Sequence, residues 1–532
     1  MERAGGDRDA VRRRALVVCA HLRPSRDKRK TTYFMQPLAG LHVASLIDPA
    51  AFEVRLHHED WHGPFDTRDC SGWDLVFLTG LQPDFDRMRQ LSYYFRRAGS
   101  VVVAGGSVCT SFPEFASDYF DSVCSGGVES VPAVVSDYLA GQLRPIYRAH
   151  GGNRAAFVAD YGHFTRNGIN PSAHLLEASR GCRFRCTFCA VPNEVGGHVG
   201  GDLAALAASI DSAIRTSPWW SFRRLYPLLM FYDNNFADDL DHLRQVVGLL
   251  DGDRRIRGWA ALVTQNVLQD RDLVAELARR KCVGLFVGLE SLDPDMLRRY
   301  RKKQNLSSRS NVFDDIAFAE RQGIAVSYGY LFDPRHQTAA QMEAQIGMLA
   351  QDDRVPMPVY LSVVAPLAGT ESFWEDLDAG RLAPNLMMRE LDGETIAYAT
   401  LADDEVRLAA FLVRLFRRPW TLVGPVPLLR KTVRRIVRAR TLNPIRWLMF
   451  ASANLHCFAW SHRTPVSGRS FLPGRDPLDP QYDERPAEIS AADRERYFAP
   501  VRLTDANGRP AAWLLAYSRA RVERVGAPRV RA

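Results

Sequence analysis

The sequence predicts an α/β protein: a doubly wound parallel sheet, then a partial βα barrel of the TIM-like kind, then a mostly helical C-terminal region. Three observations predict it. Short apolar strands alternate with helical segments in two separate runs, a linker divides the runs, and the pattern turns helical and then irregular beyond about residue 385. The first run, within residues 14–140, is RALVVCA, FEVRLHHE, DLVFLTG, SVVVAGG and FDSVCSGG. Such alternation builds βαβ units around a parallel sheet, the flavodoxin-like (Rossmann-type) arrangement. The linker contains GGNRAAF. The second run is HLLEASRG, LYPLLMFYDNNF, GWAALVTQN, CVGLFVGLES, IAVSYGYLFD and VYLSVVAPLAG. Six strands of this kind make a full or partial βα barrel, whose functional groups belong on loops after the strands. The C-terminal region ends in irregular, Pro- and Gly-containing sequence, RTPVSGRSFLPGRDPLDP. The units expected are therefore 1–150, 151–385 and 386–532.

Composition fits folded units of this size. Of 532 residues, 46% are hydrophobic and 24% charged, which excludes a disordered chain. The N-terminal apolar run is short and no stretch of 18 apolar residues occurs, so neither a signal peptide nor a spanning helix is expected, and a reducing cytoplasm is. Three of the nine cysteines fall within eight residues. The other six (Cys19, Cys70, Cys109, Cys124, Cys282, Cys457) are scattered, as buried thiols would be, and do not form a disulfide framework. The net charge of +8 is concentrated in RLFRRPW and RKTVRRIVRARTLNPIRW. There Leu429, Val433, Ile436 and Val437 recur at helical spacing, which predicts an amphipathic helix. Its expected setting is an apolar face packed on the core with the arginines in solvent; a membrane-surface or polyanion site is the alternative. No nucleic-acid-binding module is recognisable.

Glycines follow two strands of the first run, at Gly105–Gly106 and Gly126–Gly127, where an open parallel sheet places its ligand crevice. On these residues alone, tight strand-to-helix turns are the better explanation of the glycines.

The sharpest motif is SRGCRFRCTFC, with Cys182, Cys186 and Cys189 directly after a strand. Three thiolates from one tight loop can hold three irons of a cubane and leave the fourth iron open to chelate a ligand. A zinc site would want four closed ligands, and no second CxxC is present. The motif closely resembles the CxxxCxxC signature of radical S-adenosylmethionine enzymes. That resemblance implies a four-iron, four-sulfur (4Fe-4S) cluster whose open iron binds the amino and carboxylate groups of S-adenosyl-L-methionine. An electron from an external donor of flavodoxin or ferredoxin type then cleaves the molecule to methionine and a 5'-deoxyadenosyl radical. Phe188, before the third cysteine, would lie near the adenine, with simple loop packing as its other explanation.

Later strand ends extend the resemblance. Asp233, Asn234 and Asn235 stand where relatives hold the methionine ammonium, although Asp and Asn also favour helix starts. Gln265, between Thr264 and Asn266, ends the third strand, and Glu290 and Ser291 end the fourth. All three are implied contacts to the nucleoside or amino acid, and ordinary loop polarity or a surface ion pair would also place them there. QPLAGLHVASLID, AGGS at 104–107 and SGGVES at 125–130 resemble segments of cobalamin-binding radical enzymes, implying cobalamin contacts from Gly105, Gly106, Ser107, Gly126, Gly127 and Glu129. GLESLDPDMLRRYRKKQN, YGYLFD and APLAGTESFWEDLDAGRL are nearest the branch containing hopanoid C-2 methylases. Two departures stand out. LFDPRHQT replaces a more usual glycine-rich segment, and no Asp-x-His-x-x-Gly follows the first strand. No histidine is therefore expected beneath the cobalt, and His57, His58 and His62 read as surface residues. The implied activity is methyl transfer to an unactivated carbon of a small molecule or secondary metabolite. Radical oxidation, cyclisation or ring rearrangement without methyl transfer is the alternative, and a nucleic-acid-modifying cluster protein a more distant one.

Overall fold

The computed structural model describes residues 12–22, 38–149, 157–171, 173–195, 197–307, 310–417, 419–456, 467–474 and 486–517. Its first sheet contains β1 (Arg13–Cys19), β2 (Phe52–His58), β3 (Leu75–Gly80), β4 (Val101–Gly106), β5 (Ser122–Ser125) and β6 (Ile146–Arg148). All pairings are parallel, in the order 2-1-3-4-5-6, with β1 at the crossing point where the strand order reverses. Helices cover both faces, so the central strands read as continuous apolar runs: Ala15 to Val18 are all buried, as are Leu75 to Leu78. The edge strand β2 instead alternates buried and open positions. The predicted five strands are present; β6, only three residues long, is additional.

The second sheet holds β7 (His174–Leu176), then, after a two-residue antiparallel pair β8 (Ser179–Arg180) and β9 (Val199–Gly200), the strands β10 (Leu228–Phe231), β11 (Gly258–Thr264), β12 (Cys282–Glu290), β13 (Ala325–Phe332) and β14 (Tyr360–Val363). Its order is 7-10-11-12-13-14, parallel throughout, with each strand beside its predecessor: an open six-stranded βα barrel. Among the described residues no helix is long and apolar enough to cross a membrane.

Beyond β14 come the helices Glu371–Asp378, Glu405–Arg417, Pro425–Arg438 and Pro444–Leu455. The stretch 496–517 returns to the first sheet: Trp513 stacks on Phe115 with ring centres 4.0 Å apart, and Arg89 donates to the carbonyls of Arg496 and Ala499. Cys19, Cys70, Cys109, Cys124 and Cys282 are buried free thiols, as expected; Cys457 lies outside the described residues, as do GGNRA and much of RTPVSGRSFLPGRDPLDP.

The expected packing of the basic helix is overturned. Leu429, Val433 and Val437 face solvent, while Leu428, Lys431, Thr432 and Arg435 are its buried residues. Polar partners on the barrel explain the reversal. Arg435 forms a fully buried ion pair with Glu320, and Lys431 donates to the carbonyls of Leu349 and Asp352. Ile436 alone of the four turns inward, packing beside Phe450.

Candidate active site

A cavity of about 550 Å³ lies where the carboxyl ends of the two sheets meet. The first sheet contributes Gly105, Gly106, Ser107, Gly126 and Gly127, five of the six sequence-predicted positions; the second contributes Glu177, Arg180, Tyr232 and Asn234. Two of the glycines are needed by the backbone. Gly106 has φ +108°, and a side chain there would collide with the Gly80 carbonyl; Gly126 has φ +92°, and a Cβ would lie 2.7 Å from Ala149 O. Gly105 differs: an added Cβ would meet nothing closer than 3.9 Å, so it leaves open cavity wall that a side chain would fill. Ser107 hydrogen-bonds Glu194, a cavity-lining carboxylate whose proton affinity burial raises.

Glu129, expected at the ligand, instead pairs with Arg180. The guanidinium donates to Glu129 Oε1 at 2.8 Å, to Glu177 Oε1 at 2.7 Å and to His42 Nδ1 at 3.2 Å. Glu129 and His42 belong to the first sheet's helices and Glu177 to the barrel, so one half-buried cation ties the two walls together.

The histidine reading also changes. His58 is buried at the end of β2 and lines the cavity; His57 is half-buried, bonding the Gly63 carbonyl at 3.0 Å; only His62 is exposed. His21 and His42 complete a set of three wall histidines, and neither had been singled out. His21 was legible in principle, since it follows β1 directly at the sheet's carboxyl edge. Its ring lies 3.5 Å from Asp84 Oδ1. Asp84 is buried and accepts the N–H groups of Leu22 and Leu81 at 2.8 and 2.9 Å; burial nevertheless raises its carboxyl to about 7.

The cysteine loop follows β8. Gly181, at φ +82°, donates its N–H to Asn234 Oδ1 at 2.9 Å, so the loop is fixed to the end of β10. Asn235 Nδ2 lies 3.9 Å from Cys182 Sγ and 2.8 Å from Asp238 Oδ1, and Asp238 accepts the Arg183 N–H at 3.2 Å. Gln304 Nε2 stands 3.8 Å from Cys186 Sγ. Two of the three sulfurs thus have side-chain amide donors, the arrangement that steadies thiolate ligands of a metal cluster. Burial raises all three thiols, Cys189 to about 12, so charge from bound iron is what would hold them as thiolates. Among the described residues no three Cys, His, Asp or Glu side chains converge as a single ion would require. A cubane does not require it, because each thiolate takes its own iron.

Asp233 departs most from expectation. It is fully buried, with Oδ1 accepting Ala178 N at 2.9 Å and Oδ2 accepting Ser179 Oγ at 2.6 Å, so it braces the strand ahead of the cysteine loop. Asn234 is the exposed member of the trio and the one on the cavity wall. Glu290 sits at φ +61° where the pairing of β12 with β13 shifts register, and Lys302, itself buried, holds its carboxylate at 2.8 Å. Left-handed backbone at a non-glycine costs about 1 kcal/mol or more and gathers at functional strand ends. Ser291 closes the next turn by accepting the Asp293 N–H at 3.1 Å. Gln265 is buried at the end of β11, and Phe188 packs edge-on against Tyr300 at 5.3 Å.

No family model matches the chain. Two relatives in sequence are bacteriochlorophyllide d methyltransferases of Chlorobaculum tepidum. The C-8(2) enzyme is 23% identical over 352 residues, 64% of this chain and 76% of its own; the C-12(1) enzyme is 26% identical over 326 residues, 59% and 68%. Among solved structures, the cobalamin-dependent S-adenosylmethionine radical enzyme OxsB, with aqua-cobalamin and S-adenosylmethionine bound, superposes with TM-score 0.55 at 14% identity, over 85% of this chain and 72% of OxsB. The OxsB structure with aqua-cobalamin alone gives 0.56 at 13% identity, over the same shares. The chain is similar in fold to a cobalamin-dependent S-adenosylmethionine radical enzyme and in sequence to two methyltransferases. Its two parallel sheets form the two walls of the cavity, and the CxxxCxxC loop lies at the barrel mouth.

Proposed function

We propose that the chain is a cobalamin-dependent radical S-adenosylmethionine C-methyltransferase that acts on an unactivated carbon of a small molecule. The observation that carries this reading is the cavity walled at once by the glycine turns of the first sheet and by the barrel mouth, beside the cysteine loop. Both relatives in sequence are methyltransferases.

When bound, the cofactors supply the one-electron cleavage of S-adenosylmethionine and a transferable methyl group. The residues of the chain orient them. Cys182, Cys186 and Cys189 are the cluster ligands, with Asn235 and Gln304 donating to sulfur. Asn234, Gln265, Glu290, Ser291 and Phe188 form the S-adenosylmethionine side, and Asp233 supports it from behind. Gly105, Gly106, Ser107, Gly126 and Gly127 leave room for cobalamin. Arg180, locked to Glu129 and Glu177, keeps the walls in register and helps exclude water.

The functional division follows residues 1–150, 151–385 and 386–532. An external one-electron donor of flavodoxin or ferredoxin type, a cytoplasmic setting, and contact between the basic C-terminal helix and a membrane surface complete the reading.

The test is anaerobic reconstitution with iron, sulfide and hydroxocobalamin, followed by incubation with S-adenosylmethionine, reductant and metabolite extract. A product one methylene heavier, formed with 5'-deoxyadenosine, is expected. Deoxyadenosine with an unmethylated product would replace methyl transfer by another radical reaction. Cys182→Ala, Cys186→Ala and Cys189→Ala should each lose both the cluster absorbance and all cleavage, whereas Cys109→Ala and Cys282→Ala should keep the cluster. A normal cluster in any of the first three would overturn the assignment.

A further inference from the structure

We propose that the N-terminal end of the barrel, opposite its mouth, docks on an anionic lipid bilayer. This rests on the membrane-surface reading above and is independent of the methyl-transfer chemistry.

The helix Pro425–Arg438 is held with its polar side inward by the Arg435–Glu320 pair, by Lys431 on two carbonyls, and by Asn454 donating to Thr432 Oγ1 at 2.6 Å. Those bonds dictate which face meets solvent. Val426, Leu429, Val433 and Val437, spaced along one helical face, are 75, 64, 52 and 69% exposed. Leu442 (91%), Leu448 (58%) and Trp447 (40%) prolong the stripe. The following helix, Pro444–Leu455, lies at the starts of β12 and β13, where Met449 crowds Gly284 and Phe450 packs with Ala325.

A separate segment exposes apolar side chains at the same end of the barrel. Trp219 and Trp220, 82 and 63% exposed, and Leu225, 71%, precede the first residue of β10, Leu228. Exposed tryptophans beside aliphatic side chains suit the boundary between lipid headgroups and acyl chains.

Charge selects the partner. Between Val406 and Arg475 the sequence has fourteen Lys and Arg and no Asp or Glu, and Arg430 and Arg440 are exposed beside the stripe. A second copy of the chain joined across a two-fold axis would set cations against cations. A nucleic acid would leave the apolar stripe unused. An anionic leaflet matches both features at once.

The experiment is sedimentation of the full chain with vesicles of mixed phosphatidylglycerol and phosphatidylcholine, and with pure phosphatidylcholine vesicles. Binding is read without cofactors or turnover, so failure of the catalytic reading leaves it unaffected. The protein should pellet with the anionic vesicles and be released by salt. The double variant L429E/V433E should lower partitioning by about tenfold or more, with an unchanged melting temperature because both positions are exposed. W219S/W220S should weaken binding independently. No pelleting with anionic vesicles, or equal pelleting by L429E/V433E, would overturn the proposal. So would a lipid-free dimer that L429E/V433E dissociates, or salt-sensitive RNA binding that competes with the vesicles.

Discussion

Asp233 shows how a buried carboxylate can serve a site without touching its ligand. Its two oxygens hold the Ala178 N–H and the Ser179 hydroxyl, which set the strand end from which the cysteine loop departs. Asp233→Ala strands two buried donors, each costing about 1–3 kcal/mol. The variant should therefore melt at lower temperature before any ligand is added, while Asn234→Ala, which strands only the Gly181 N–H, should lower the melting temperature less and lose S-adenosylmethionine affinity. Equal melting of Asp233→Ala and wild type would return Asp233 to direct ligand contact. Asp84 gives a pH signature. Its folded pKa of about 7 lies above the usual carboxylate value, because burial opposes the charge. The folded state therefore binds the proton more tightly, and this group makes stability fall as pH rises from about 4 to about 7, with no further change above that. Asp84→Asn should flatten that slope in denaturant titrations. It should also cost about 1–3 kcal/mol at acidic pH, since one amide oxygen cannot serve both the Leu22 and Leu81 N–H groups. A slope as steep as wild type would assign the pH dependence elsewhere.

The strands were legible because a parallel sheet covered on both faces demands unbroken apolar runs such as Leu75–Leu78. β6 was not: three residues after Pro145 carry too little pattern. The basic helix misled for a physical reason. Hydrophobic periodicity locates an apolar face but not its partner, and here the buried neighbours of the helix are Glu320 and backbone carbonyls. At the site, the cysteines and glycine turns could be read directly from their spacing. The Arg180–Glu129 tie could not, because it joins residues 51 positions apart from different sheets. The glycine turns also separate two kinds of position. Gly105→Val should block cobalamin uptake, read as retained visible absorbance after desalting, while sparing the cluster and the melting temperature. Gly126→Val should lower stability as well, because its φ of +92° and the nearby Ala149 carbonyl reject a side chain whatever the ligand. Normal cobalamin retention by Gly105→Val would remove that turn from the binding wall.

At the scale of the whole molecule, the first sheet is completed by residues about four hundred positions away. Trp513 covers Phe115 and Phe112, Tyr517 donates to Glu114, and Arg89 reaches two carbonyls near residue 497. Trp513→Ala should cost about 2–3 kcal/mol, below the range of a fully buried aromatic because Trp513 is partly exposed. It should lower the temperature at which cobalamin is released and leave the loss of the cluster unchanged; a parallel drop in both would mean that the two sheets unfold as one unit.

This clasp has a consequence in time. A ribosome makes Phe112 and Phe115 before the barrel and makes Trp513 and Tyr517, which cover them, after it, so the nascent first sheet waits through the synthesis of the entire barrel with an uncovered aromatic face. Its apolar helix surface is open to chaperones, or to a neighbouring nascent chain, for that interval. Cobalamin therefore meets a fully packed wall only after residue 517 has left the exit tunnel.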